Sequence, residues 1–207
     1  MSAAEVGSTA VADELVGLHF ATQHLEPAGL DPFAVDELEP FLRGLLFSDG
    51  MVTRALSVRL LDHVVVDVVD QCETGLPADA ARYLDADAGT TSLRRRVTMS
   101  VGGRPLGICA ESHLLPGRLP QAFTTALDGA PQGVGRSMEQ LSLESRRELL
   151  WFRLGAPSRW CEGDTAEGTV LERLYRIVTT GRPALLIGET FAVEQCAGRY
   201  RLARLGV

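Results

Sequence analysis

The chain of 207 residues contains neither lysine nor asparagine, so its 20 basic residues are all arginine. Without lysine there is no Schiff-base aldolase, no pyridoxal-phosphate linkage and no Walker A phosphate loop. No G-x-S-x-G elbow is present to hold a serine nucleophile. The G-x-G at Gly133–Gly135 lacks the third glycine of a dinucleotide fingerprint. The four cysteines, Cys72, Cys109, Cys161 and Cys196, lie far apart and form no C-x-x-C pair. A cysteine zinc site is therefore not expected, and a cytosolic chain of this kind implies no disulfide. No His/Asp/Glu spacing matches a metal site. Apolar runs fall short of the ~20 residues that span a bilayer. The start, "MSAAEVGSTAVADEL", has no basic segment leading into an apolar core. A cytoplasmic protein that does not engage membranes is expected. Net charge is -7, with no basic cluster beyond Arg94 to Arg96, which argues against nucleic acid as a partner.

What is present is an ordinary globular composition, 45% hydrophobic and 23% charged. The length suits one domain, read as residues 35–207 behind an N-terminal arm at 1–34. "FAVDELEPFLRGLLFSDG" reads as a helix with Leu38, Leu42 and Leu45 on one side, ending near Gly50. "ALSVRLLDHVVVDVVDQ" is β-branched and largely alternating, which predicts a strand with a bulge near Asp62. "GLPADAARYLDADAGTT" is a connection with room for a helical turn. "LRRRVTMSV" and "LGICAESHLL" flank Gly102-Gly103-Arg104-Pro105 and predict a hairpin. "LPQAFTTAL" reads as a short helix, "RRELLWFRLG" as a strand, and "AEGTVLERLYRIVTTGRP" as a helix with Leu171, Leu174 and Ile177 inward. "ALLIGETFAVE" and "GRYRLARL" close the chain as a second hairpin. The layout is α+β: one antiparallel sheet with helices packed against it.

Two strands each carry one charge on an otherwise apolar row. Leu93, Arg95, Val97, Met99 and Val101 share a side in the first; Leu185, Ile187, Glu189, Phe191 and Val193 share one in the second. Burying an unpaired charge is costly. Either Arg95 and Glu189 pair with each other, or both face a pocket and meet a ligand. An arginine fork suits a carboxylate. A glutamate suits a hydroxyl, or the movement of a proton.

"FLRGLLFSDGMVTRALS", "LRRRVTMSVGGRPLGICAESHLLP", "GVGRSM" and "GRPALLIGETF" follow one another in an order that resembles the chorismate pyruvate-lyases, over residues 38 to 194. The resemblance implies a single antiparallel sheet with helices on it, an internal site without cofactor or metal, and release of 4-hydroxybenzoate and pyruvate from chorismate. It implies that Arg95, ten residues before Pro105, binds the ring carboxylate, and that Glu189, in "GETF", contacts the ring oxygen. Backbone groups at Met51 and Val134 would complete the carboxylate site. Apart from the resemblance, Arg136 follows the "GVG" turn, where it is placed to assist an anion. The chain departs from the family in its extra N-terminal arm, in "GVGR" where shorter relatives have "PLGR", and in a longer "LGICAESHLLP". Two alternatives stay open: an enzyme of the same scaffold acting on a different carboxylate, and a ligand-binding module without catalysis. The partner in each case is a small molecule.

Overall fold

The computed structural model describes residues 3–21, 35–129, 133–158 and 168–203. Among them are seven strands: β1 Val64–Gly75, β2 Thr91–Val101, β3 Arg104–Leu114, β4 Arg146–Gly155, β5 Val170–Thr179, β6 Arg182–Cys196 and β7 Arg199–Leu202. All pairings between them are antiparallel, in the order β1-β2-β3-β6-β5-β4, with β7 on the far end of β6. Three strand pairs close through two-residue turns with both residues at positive φ. These are Gly102-Gly103 (53°, 77°), Thr180-Gly181 (49°, 78°) and Ala197-Gly198 (50°, 77°). Such turns match the right-handed twist of the strands they join, and a glycine in each relieves the steric cost.

Six helices are described: α1 Ala3–His19, α2 Pro40–Phe47, α3 Val52–Leu60, α4 Ala78–Ala81, α5 Gln121–Gly129 and α6 Val134–Gln140. On one sheet face, Leu42, Leu45, Leu46, Leu56, Phe123 and Leu127 pack with Ile108, Leu185 and Phe191 in the main core. A smaller cluster of Leu76, Leu84, Trp151 and Leu186 lies around α4 on the other face. Phe20, just past α1, is buried with its ring 5.3 Å from Phe47 and 4.8 Å from Phe152. No helix among the described residues is long and apolar enough to cross a membrane.

Several expectations are corrected. The segment read as one long strand from Ala55 is a helix followed by a strand. Val52 and Leu56, one turn apart, are buried, and Leu61 ends α3 in a left-handed conformation, φ 53°. The bulge falls between Val68 and Asp70, not at Asp62. The helix read into "FAVDELEPFLRGLLF" is a short 3-10 turn at Val35–Glu37, then α2, whose first turn begins at Pro40. Residues Val170–Thr179, expected as a helix, are strand β5. It lies between β6 and β4, and nine of its ten residues are buried. With both faces covered it shows no wet side, and its leucine spacing imitates a helix. Finally, Cys109 is disulfide-bonded, while Cys72 and Cys196 are free; Cys161 lies outside the described residues.

Candidate functional site

A cavity of about 70 Å³ opens on the main sheet face, several times the ~10–15 Å³ that one water requires. Its floor is the sheet: Arg95, Val97 and Met99 from β2, Ala110 and Ser112 from β3, Tyr175 and Ile177 from β5, Ile187 and Glu189 from β6. Its cover is the start of α3, at Met51 to Thr53, and the start of α6, at Gly133 to Arg136. Leu185 and Phe191, on the same row as Glu189, are instead fully buried in the core.

Arg95 and Glu189 both line this cavity, and they do not pair with each other. Register explains the separation. Arg95 lies opposite Ser112, Ser112 lies opposite Ile187, and Glu189 is two residues along β6. That is two strand spacings of ~4.8 Å across and two residues of ~3.3 Å along. Arg95 is 2% exposed. Its Nη1 donates to the Gln71 side chain and, at 3.1 Å, to the Leu127 carbonyl. Gln71 sits directly opposite Arg95 on β1 and aims the guanidinium.

Glu189 is 5% exposed and is held by β5. Arg173 Nε donates to Oε2 at 2.7 Å, and the Tyr175 hydroxyl donates to Oε1 at 3.1 Å. Arg173 lies opposite Glu189 in the ladder. Its Nη1 also donates to the carbonyls of Leu45, Leu46 (3.1 Å) and Ser48 (2.9 Å). These belong to the end of α2, where helical carbonyls lack intrahelical partners and the dipole is negative. One guanidinium therefore caps α2 and fixes Glu189. Burial, reinforced by Glu189, pushes the Tyr175 phenol well above its ordinary value, against the opposing pull of Arg173 and Arg147. Tyr175 thus stays a donor at neutral pH.

The cover carries the other expected residues. Met51 is the N-cap of α3, and the first bond of that helix runs from the Ala55 N–H to the Met51 carbonyl. The N–H groups of its first turn therefore lack intrahelical partners beside the cavity, a favourable place for negative charge. Val134 opens α6. Arg136 lines the cavity but is solvent-exposed. A Cβ on Gly135 would stand 2.8 Å from Met51 Cγ, so α3 and α6 meet there without space for a side chain. Outside, Arg54 and Glu139 join the two helices at 2.5 Å, both exposed; such a pair is worth ~0–1 kcal/mol.

His63 and His113 do not line the cavity. His63 is exposed, and His113 is buried against Glu111 at 3.0 Å. No cluster of three metal-ligating side chains occurs among the described residues. Sequence reasoning misses Gln71, Arg147, Arg173 and Tyr175, the side chains that position or charge the site. For Arg173 the signal is present, as a charge inside an apolar run, but the helical reading of β5 hides it together with Tyr175.

The family described as "Chorismate pyruvate-lyase Rv2949c-like" matches residues 46–198. A chorismate pyruvate-lyase of Mycobacterium leprae is 26% identical over 176 residues, 82% of this chain and 83% of that protein. One of Mycobacterium tuberculosis is 24% identical over 163 residues, 76% and 82% respectively. Among solved structures, PhnF of Mycobacterium smegmatis aligns with a TM-score of 0.54 at 11% identity, covering 77% of this chain and 67% of that one. The effector domain of PhnF aligns at 0.51 and 10% identity, covering 69% and 88%. The fold is thus the chorismate lyase-like α+β fold that such effector domains also use.

Proposed function

The chain belongs to the Rv2949c-like chorismate pyruvate-lyase family, and from that premise we propose that it converts chorismate to 4-hydroxybenzoate and pyruvate without a cofactor. The observation that carries this reading is the convergence of Arg95 and Glu189, from two different strands, on one largely apolar cavity. In the reading, Arg95 holds the ring carboxylate by its planar fork, helped by backbone N–H groups at Met51 and Val134, with Arg136 at the mouth. Glu189 accepts a hydrogen bond from the ring hydroxyl through Oε1, and Val97, Met99 and Ile187 cover the ring.

The chemistry asks little of the protein. The C4–H bond breaks and its electron pair becomes the third ring double bond. The C3–O bond breaks and its pair leaves with the enolpyruvyl oxygen. The side chain then takes one proton at its methylene carbon, balancing the one released from C4, and becomes pyruvate. Aromatisation supplies the driving force, so orientation and fixed charge are what the site must provide. Arg173 and Tyr175 contribute by holding Glu189 in place before substrate arrives.

A second reading, an aromatic-acid binding module without catalysis, is favoured by the likeness to the PhnF effector domain. Incubation with chorismate separates the two. Stoichiometric pyruvate and 4-hydroxybenzoate are expected; binding without either product would establish the module. The product keeps every ring contact, so 4-hydroxybenzoate should inhibit competitively. At a hundred times its Kd it should stabilise the fold by ~2.7 kcal/mol. Benzoate, lacking the hydroxyl, should stabilise less, and Glu189→Gln should narrow that gap. If millimolar 4-hydroxybenzoate leaves Tm and rate unchanged, the substrate is a different carboxylate.

A further inference from the structure

We infer that Arg147 binds the second carboxylate of the substrate, the one on the enolpyruvyl side chain, and so makes the site selective for a dicarboxylate. The inference rests on the reading above and adds a residue to it. Arg147 enters the cavity from β4, opposite Ile177 on β5. Its Nη1 is anchored on the Asp49 carbonyl, just before α3. Among the described residues its guanidinium makes no other hydrogen bond, and its Nε is buried without a partner. A buried donor lacking an acceptor is costly. The Nε–Nη2 edge of the guanidinium is a planar fork, the shape that takes a carboxylate through two parallel bonds.

Position selects which carboxylate. Arg147 reaches the Glu189 side: it bonds the Asp49 carbonyl, next to the Ser48 carbonyl that takes the same Arg173 guanidinium that holds Glu189. Arg95 lies on β2, with β3, β6 and β5 between it and β4. In chorismate the hydroxyl sits on C4, para to the ring carboxylate, and the enolpyruvyl ether on the neighbouring C3. With the ring carboxylate at Arg95 and the hydroxyl at Glu189, the side chain extends from the ring edge beside Glu189. Arg173 offers no fork there, since its Nε is on Glu189 and its Nη1 on the end of α2, which leaves Nη2 alone without a partner among the described residues. Arg136 is exposed. A second anion leaving water for this cavity needs a cation, and Arg147 supplies one with its fork edge uncommitted.

The product has no side-chain carboxylate and so loses this contact alone, which gives the test. Affinities of two unreactive probes are measured by calorimetry in wild type, Arg147→Gln and Arg147→Lys. The probes are 3-(1-carboxyvinyloxy)benzoate, which has both carboxylates but nothing to eliminate, and 4-hydroxybenzoate, which has one. In Arg147→Gln the dicarboxylate should bind about ten- to a hundredfold more weakly, with 4-hydroxybenzoate within about twofold of wild type. Arg147→Lys should recover part of the loss, because it restores a point charge but not the fork. The 4-hydroxybenzoate arm also reports that the site is folded. Equal weakening of both probes, or no change in either, overturns the role of Arg147. Wild type that binds both probes yet releases no pyruvate from chorismate overturns the lyase reading instead, while the binding comparison still decides Arg147.

Discussion

Arg95→Ala is expected to abolish pyruvate release from chorismate while the protein stays folded. The guanidinium is 2% exposed, on a strand row that otherwise faces the cavity with Val97 and Met99. In the proposed complex it makes two charge-assisted bonds to the ring carboxylate, each worth ~1.5–3 kcal/mol. Their loss together lowers kcat/KM by roughly a hundred- to ten-thousandfold, at tenfold per 1.36 kcal/mol. The fold loses the bonds from Arg95 to Gln71 and to the Leu127 carbonyl, a cost of ~1–3 kcal/mol. In a chain of this length each kcal/mol lowers Tm by about 2–4 °C. Activity is read as pyruvate released, and folding as the denaturation midpoint of the same preparation. Retained turnover in the folded fraction, together with a large fall in Tm, would make Arg95 a structural residue.

The largest effect on stability belongs to Arg173→Met. That change leaves the buried Glu189 carboxylate without its cation and withdraws a donor from the carbonyls that end α2. Removing one partner of a buried pair costs ~3–5 kcal/mol, so Tm should fall by roughly 6–20 °C. Adding Glu189→Leu to Arg173→Met should return most of that loss, because the pair is then replaced by apolar groups rather than split. Activity should be absent from the double variant. Chemical denaturation of both single variants and the double closes the cycle. Additive losses would mean that Arg173 serves α2 alone and does not act through Glu189.

Legibility in the sequence followed exposure. β2 and β3 declare themselves because β2 is half-covered and the Gly102-Gly103 turn can be little else. Arg95 and Glu189 stand out because each interrupts an apolar row. β5 hides: buried on both faces, it carries Glu172 and Arg173 as adjacent charges pointing to opposite sides, so alternation says nothing. Misreading β5 also removed Arg173 and Tyr175 from view, although both touch Glu189. α3 was concealed differently. "ALSVRL" is short and runs directly into the valines of β1, so the period of two swamps a helical face marked by Val52 and Leu56. Gln71 and Arg147 carry no local signal; only the ladder places Gln71 opposite Arg95 and Arg147 opposite Ile177.

The strand order has a kinetic consequence. β1-β2-β3 on one side and β4, with the β5-β6 hairpin, on the other are stretches contiguous in the chain. They join along β3 and β6, where Ser112 faces Ile187. That seam brings together partners far apart in sequence, and closing so long a loop costs entropy before any contact rewards it. Arg95 lies on one side of the seam and Glu189 on the other, so neither half holds a binding site alone. During refolding, hairpins should form early and the seam late. Affinity for 4-hydroxybenzoate should therefore return more slowly than far-ultraviolet ellipticity, and the ligand would serve as a clock for the most non-local step of folding.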